Sequence, residues 1–165
     1  MNHLNPIVNP HDHLAIQNTI ARYCEALDTK DFKLLDQVFA EEVVANYPFN
    51  NKLEGVKGVR EAIVNRLGPI LTHHSLTTQR ITFGHDSRTA HAVTYFVGCH
   101  FGQGPHEGKV LQAWGQYSDE LICLDRNSAD REGEGVAGAS GVWRIAKRTV
   151  GFTKRIGDER IMEEF

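Results

Sequence analysis

The sequence has no run approaching the roughly 18 uncharged apolar residues that a membrane-spanning helix requires. Its polar opening, MNHLNPIVNPHDH, lacks the basic start and apolar stretch of a secretory signal. Both absences point to a cytoplasmic chain. Positive charge is not in excess either: Lys plus Arg 18 against Asp plus Glu 21 gives 18 − 21 = −3. No global field therefore favours nucleic acid or an anionic membrane surface as a partner. Cysteine is sparse, and Cys24, Cys99 and Cys123 lie far apart with no CxxC among them. Buried reduced thiols are expected, rather than disulfides or metal ligands. No internal repeat is found. The glycines from Gly102 to Gly108 precede a strand pattern rather than a helix, so they form no phosphate cradle and indicate no nucleotide cofactor.

The remaining composition suits one globular core. The 165 residues are 41% hydrophobic and 24% charged, a globular composition at one domain's length, so a single domain over 1–165 is expected. Two prolines and two asparagines within residues 5–10 suggest a flexible lead over 1–11. Ile16, Ile20, Tyr23, Cys24 and Leu27 then recur at helical spacing, with Asp12 as a candidate N-cap. Asp31 could cap a second helix carrying Leu34, Leu35, Val38 and Phe39. Val43 to Pro48 reads as a short strand closed by proline. Val59, Ala62, Ile63 and Leu67 mark a third helix, ended by Gly68 as a left-handed cap and Pro69 as a stop.

From Thr72 the period falls to two. Strands are expected over 72–83, 89–101, 110–124 and 142–152, joined by turns at 84–88 and 102–108. The charged, glycine-rich stretch 125–141 reads as a mobile exposed loop. Three helices followed by an antiparallel meander make an α+β fold, with the helices packed on one face of a curved sheet to enclose an apolar pocket.

Polar residues that could point into such a pocket are Tyr23, Asp28, Tyr47, His73, His74, His100, Gln116 and Ser118. Neighbouring strand residues face opposite ways, so only one of His73 and His74 can enter, and spacing does not choose between them. Tyr23 could be structural, and Asp28 could simply turn the chain at a helix end. Tyr23 and Asp28 lie about 140° apart on an ideal helix, so the next corner of the chain must bring them together. His11 and His13 form an HxH pair, with His3 nearby, but no fixed third metal ligand accompanies them. His85, His91 and His106 sit at loops or strand margins and read as solvated. Arg148, in a Lys147-Arg148 pair, reads as a solvated sheet edge, with substrate contact as the alternative.

Several segments together carry a resemblance: Tyr23, Ala26-Leu27-Asp28-Thr29-Lys30-Asp31-Phe32, Val38-Phe39-Ala40, Tyr47-Pro48, Thr72-His73-His74, Tyr117-Ser118-Asp119 and Gly141-Val142-Trp143-Arg144-Ile145. In order and spacing, over about residues 12–152, they resemble the SnoaL-like family of the nuclear transport factor 2-like superfamily, which includes scytalone dehydratase and bile acid 7α-dehydratase. The resemblance implies a cone-shaped barrel. It further implies that Asp28 holds a catalytic His74, that Tyr23 and His100 join them, and that Tyr47 and Ser118 contact substrate; Gln116, two residues before Ser118 on the same strand, is a further candidate substrate contact. Leu27 and Ser118 replace a tyrosine and an asparagine of scytalone dehydratase, and His100 replaces an acidic residue of the bile acid enzyme, which implies a different substrate. Loss of water beside a carbonyl needs a base, an acid for the departing hydroxyl and a donor to the enolate oxygen. These residues could supply all three without metal or cofactor, with His100 assisting the hydroxyl.

The expectation is thus a lyase or isomerase acting on a small cyclic or polyketide-like hydroxy-carbonyl compound. Aldol cyclisation of the polyketide cyclase kind is an alternative, as is a non-catalytic ligand-binding or assembly subunit of the same fold. A homo-oligomer, most simply a dimer, is expected if Val93, Tyr95, Val97, Trp143 and Ile145 share an exposed sheet face.

Overall fold

The computed structural model describes residues 7–126 and 135–165. Helix α1, Pro10–Thr29, opens with proline at its first turn, where no amide partner is needed, and Asn9 is the N-cap, accepting from the His11 amide at 3.0 Å. Asp12 is therefore not the cap. It sits in the first turn, buried, and accepts from the Ser140 amide and hydroxyl, each at 2.8 Å, so it ties the helix to the segment before the last strand. Of the lead expected over 1–11, residues 10 and 11 are helical and 1–6 lie outside the described residues.

Asp31 makes no side-chain cap, and the chain continues into a 3-10 turn, Phe32–Gln37, rather than an α-helix. Phe39 belongs to strand β1, Phe39–Tyr47, which Pro48 ends. A short strand β2, Asn50–Glu54, returns beside it. Helix α2, Gly55–Leu67, buries Val59, Ile63 and Leu67. Gly68 is right-handed, with φ −51°, so no left-handed cap forms. Pro69, which has no amide proton, ends the helix.

Strands β3 (Leu71–Phe83), β4 (Thr89–Phe101), β5 (Val110–Leu124) and β6 (Val142–Gly157) form the antiparallel meander. The last runs five residues past its expected end. The sheet order is β2-β1-β6-β5-β4-β3, and the β1–β6 pair is parallel. Register shifts at Leu76/Gln79, Trp114/Gly115 and Glu120/Leu121 bend the long strands. Both helices pack on this sheet, α1 against β3 and β6 and α2 against β1.

Alternation assigns the faces. Ala90, Ala92, Thr94, Phe96 and His100 of β4 are buried, while Tyr95 is exposed. Trp143 and Ile145 lie in the core, not on the outer face, and the Trp143 ring meets Phe83 edge-on at 5.8 Å. Of the loop expected over 125–141, residues 127–134 lie outside the described residues; Asn9 and Asp12 hold Gly138 and Ser140. No helix among the described residues is long and apolar enough to cross a membrane.

Candidate active site

Between the helices and the concave sheet face lies a cavity of about 160 Å³. Tyr23 and Leu27 of α1, Tyr47 of β1, and His74 and His100 of the meander form part of its wall. The corner after α1 does what helical spacing alone cannot. Lys30 adopts the left-handed conformation at φ 64°, and Asp28 meets β3. Its Oδ1 lies 2.7 Å from His74 Nδ1, and its Oδ2 accepts the His74 backbone N–H at 2.7 Å. Thr72 donates its hydroxyl to the same carboxylate at 2.9 Å, and Lys30 Nζ donates to Thr72 at 3.1 Å. Burial pulls the Asp28 carboxyl up, but the bonds from His74 and Thr72 outweigh it, so its pKa lies below the ordinary value. A carboxylate can only accept, so Nδ1 of His74 carries the proton and Nε2 is the basic nitrogen. His73 points to the other face and is exposed.

A second group stands beside the dyad. Tyr23 and Tyr47 share a hydroxyl–hydroxyl bond of 3.1 Å. Burial, then the neighbouring phenols, raises Tyr23 well above its usual pKa, with Arg148 opposing. Burial likewise raises Tyr47, again against Arg148. Both remain proton donors at neutral pH. Arg148 does not lie at the solvated edge that its neighbour Lys147 suggests. It is fully buried, paired through Nε and Nη2 with Asp119, both at 2.7 Å, and held 4.2 Å from the rings of Tyr23 and Tyr117. The guanidinium thus supports the tyrosines from behind.

His100 lies across the cavity from His74, with ring centroids 6.3 Å apart. Its Nδ1 is 3.3 Å from the Leu111 carbonyl, which can only accept, so Nδ1 is the protonated nitrogen and Nε2 is left as an acceptor. Burial lowers its pKa to about 4, aided by the charges of Arg155 and Arg66 and opposed by the Leu111 bond. At neutral pH His100 is an acceptor and not the acid that the leaving hydroxyl would need.

Two expected contacts are not in the cavity. Gln116 and Ser118 alternate with Gly115, Tyr117 and Asp119 on β5 and point outward; Gln116 is exposed, and Ser118 bonds His91 Nε2 at 3.0 Å. His106 is not solvated but buried, 2.5 Å from Glu164 and 3.1 Å from Lys109. His85 is exposed, as expected for a turn residue. Cys24 and Cys123 are buried and Cys99 is partly buried, all three free. Among the described residues no three His, Cys, Asp or Glu side chains gather as a metal site.

A curved α+β sheet whose cavity holds an Asp–His dyad defines a protein of nuclear transport factor 2-like fold. The SnoaL-like domain model matches residues 10–149, and the chain belongs to that family. Among solved structures it is similar to LinA, at 14% identity over 94% of this chain and 95% of that one, with a TM-score of 0.74. A scytalone dehydratase-like protein from Novosphingobium aromaticivorans is 18% identical over 90% and 89% of the two chains, with a TM-score of 0.71. A hexachlorocyclohexane dehydrochlorinase, LinA-type3, from Novosphingobium barchaimii gives 13%, 90% and 90%, and 0.70. At these identities the likeness shows the fold. No curated protein matches the sequence.

Proposed function

We propose that the protein is a lyase of the dehydratase type that removes water from a small cyclic β-hydroxy carbonyl compound. The observation that carries this reading is the 2.7 Å bond from Asp28, behind the wall, to Nδ1 of His74, which lines a largely apolar cavity. A carboxylate there fixes the tautomer and stabilises the imidazolium that forms when Nε2 accepts a proton. The elimination-type chemistry of the structural neighbours, dehydrochlorination among them, supports the class of reaction.

In this reading the carbonyl oxygen lies against the Tyr23–Tyr47 hydroxyl pair, which donates to it as negative charge develops. His74 Nε2 takes the proton from the α-carbon, and the C–H electron pair becomes the enolate. Collapse of the enolate forms the carbon–carbon double bond and breaks the β C–O bond. The departing hydroxyl takes the proton back from His74, so atoms and charge balance with water and an enone as products. His100 Nε2 accepts a hydrogen bond from the β-hydroxyl and orients it toward the dyad. A single histidine serves as base and then acid, which fits a neutral His100 better than a division of the two tasks. An engineered apolar cavity of about 150 Å³ takes benzene. The volume here therefore favours one ring over the folded polyketide chain of a cyclase.

A panel of single-ring β-hydroxy ketones, followed by the absorbance of the conjugated product, tests the reading. Turnover by the natural protein is expected, with kcat lowered by about 10²-fold to 10⁴-fold in both Asp28→Asn and His74→Gln. Undiminished turnover in His74→Gln, or none across the panel with the natural protein, would contradict it.

A further inference from the structure

We propose that the ligand of the cavity carries a carboxylate on its ring, held by Arg66 and Arg155. The proposal rests on the reading of the cavity as the substrate site and adds the charge of the substrate. Arg66 comes from the last turn of α2 and Arg155 from the far end of β6, yet both line the same cavity. Arg66 stands 5.6 Å from the centre of the Phe49 ring, and Arg155 stands 5.4 Å from that of Phe152. Both rings are partly exposed, so the two guanidiniums belong to the mouth while His74 and the tyrosines lie deeper. The aromatic faces fix the planes and leave N–H edges free to donate.

Among the described residues no acidic side chain lines the cavity. Asp28 contributes its negative charge behind His74, where its oxygens are already engaged. Among the described residues no carboxylate pairs with Arg66. Arg155 has one acidic neighbour, the exposed Glu159, at 3.4 Å from Nη1. Its Nε is buried with no hydrogen-bond partner, although a buried donor without an acceptor is costly. Two cations at the mouth of a largely apolar cavity, one of them without a carboxylate partner among the described residues, call for an anion. A planar fork of donors matches a carboxylate, which can accept from both arginines. A one-ring acid then places its ring in the cavity and its carboxylate at the mouth.

Benzoate and benzamide are the probes, since they share a ring and differ in charge. Ligand-observed NMR titration of the whole protein gives their dissociation constants without turnover. The expected result is benzoate binding about tenfold tighter than benzamide, or more, with the difference shrinking as salt is raised. Arg66→Gln and Arg155→Gln should each reduce that preference, and together they should abolish it while benzamide still binds. Lys33→Gln, which removes the same charge at an exposed position on the 3-10 turn, should leave it intact. Equal affinities in the natural protein, no benzoate binding, or a preference that survives both arginine substitutions would overturn the proposal. Turnover of neutral ketones without benzoate preference would sink this inference alone. Benzoate preference without any dyad-dependent chemistry would sink the lyase reading alone.

Discussion

His74 and His100 face each other across one cavity, but their partners give them opposite characters. A carboxylate on Nδ1 leaves Nε2 as the unprotonated nitrogen of His74, whereas a carbonyl on Nδ1 and burial leave His100 neutral down to about pH 4. That difference carries a stability consequence whose sign is fixed. An unfolded histidine titrates near 6.5, so between about pH 6.5 and 4 the unfolded chain binds more protons than the folded one. Stability therefore falls as pH drops through that window. The full effect is at most about 3 kcal/mol, from 1.36 kcal/mol per pKa unit. His100→Gln should flatten the loss. Urea midpoints at pH 7 and pH 4.5 for the natural protein and the variant check this, and equal acid sensitivity of the two would count against it. Lys30 and Thr72 act one step further back. Thr72 bonds the carboxylate and Lys30 bonds Thr72, and neither lines the cavity, so they are positioning residues for the dyad.

At the scale of elements, β5 and β6 carry the buried pair on which the tyrosines rest. Asp119 and Arg148 are directly opposed in the antiparallel register, and both are fully buried. Burial disfavours the Arg148 charge, but Asp119 outweighs it and keeps the guanidinium charged. Removing one partner strands the other, so Arg148→Met should cost about 3–5 kcal/mol, and Arg148→Met with Asp119→Leu should recover much of it. Thermal midpoints of the single and double variants decide, and a double variant no better than the single would argue against the pairing account. Arg148 also marks the boundary between legible and hidden features of the sequence. Period-two alternation places β4 and β5 at their observed ends, because turn-forming stretches at 84–88 and 102–108 bound them, although apolar residues occur on both of their faces. The same alternation puts Asp119 on the face of Tyr117, and Arg148 on that of Val150, a signal masked by the adjacent Lys147, since paired cations are usually solvated. Asp28 and His74 are legible only through the family pattern, since no local spacing reveals a contact 46 residues apart. Strand β2, Asn-Asn-Lys-Leu-Glu, has no apolar alternation and exists because β1 offers it an edge. Arg66 and Arg155 carry no signal in the sequence, because helix-end and strand-end cations are common and only the cavity joins them.

On the scale of the molecule, the C-terminal segment turns toward the cavity. After Gly157, Glu159–Met162 form a 3-10 turn that buries Ile161 and Met162, and Met162 reaches the cavity wall. Asp158 lies 3.2 Å from Lys109 and Glu164 lies 2.5 Å from His106, so the tail is clasped to the β4–β5 connection. Committed there, it does not cover the convex face of the meander. Val93, Tyr95 and Val97 of β4 point to that face beside Trp114 of β5, and Tyr95 is 49% exposed. Trp143 and Ile145 do not contribute, so the apolar strip is narrower than expected, but it spans β4 and β5 and carries no charge among these four residues. A self-complementary pairing about a two-fold axis would bury the strip twice over while both cavity mouths stay open. The protein is therefore expected to be a dimer, with Tyr95→Asp shifting it toward monomer by placing a charge in the middle of the strip. Light scattering at micromolar concentration measures the mass directly. A value near the 18.5 kDa of one chain, unchanged on concentration, rules the dimer out, and a dimer mass that Tyr95→Asp leaves unaltered places the contact on another surface.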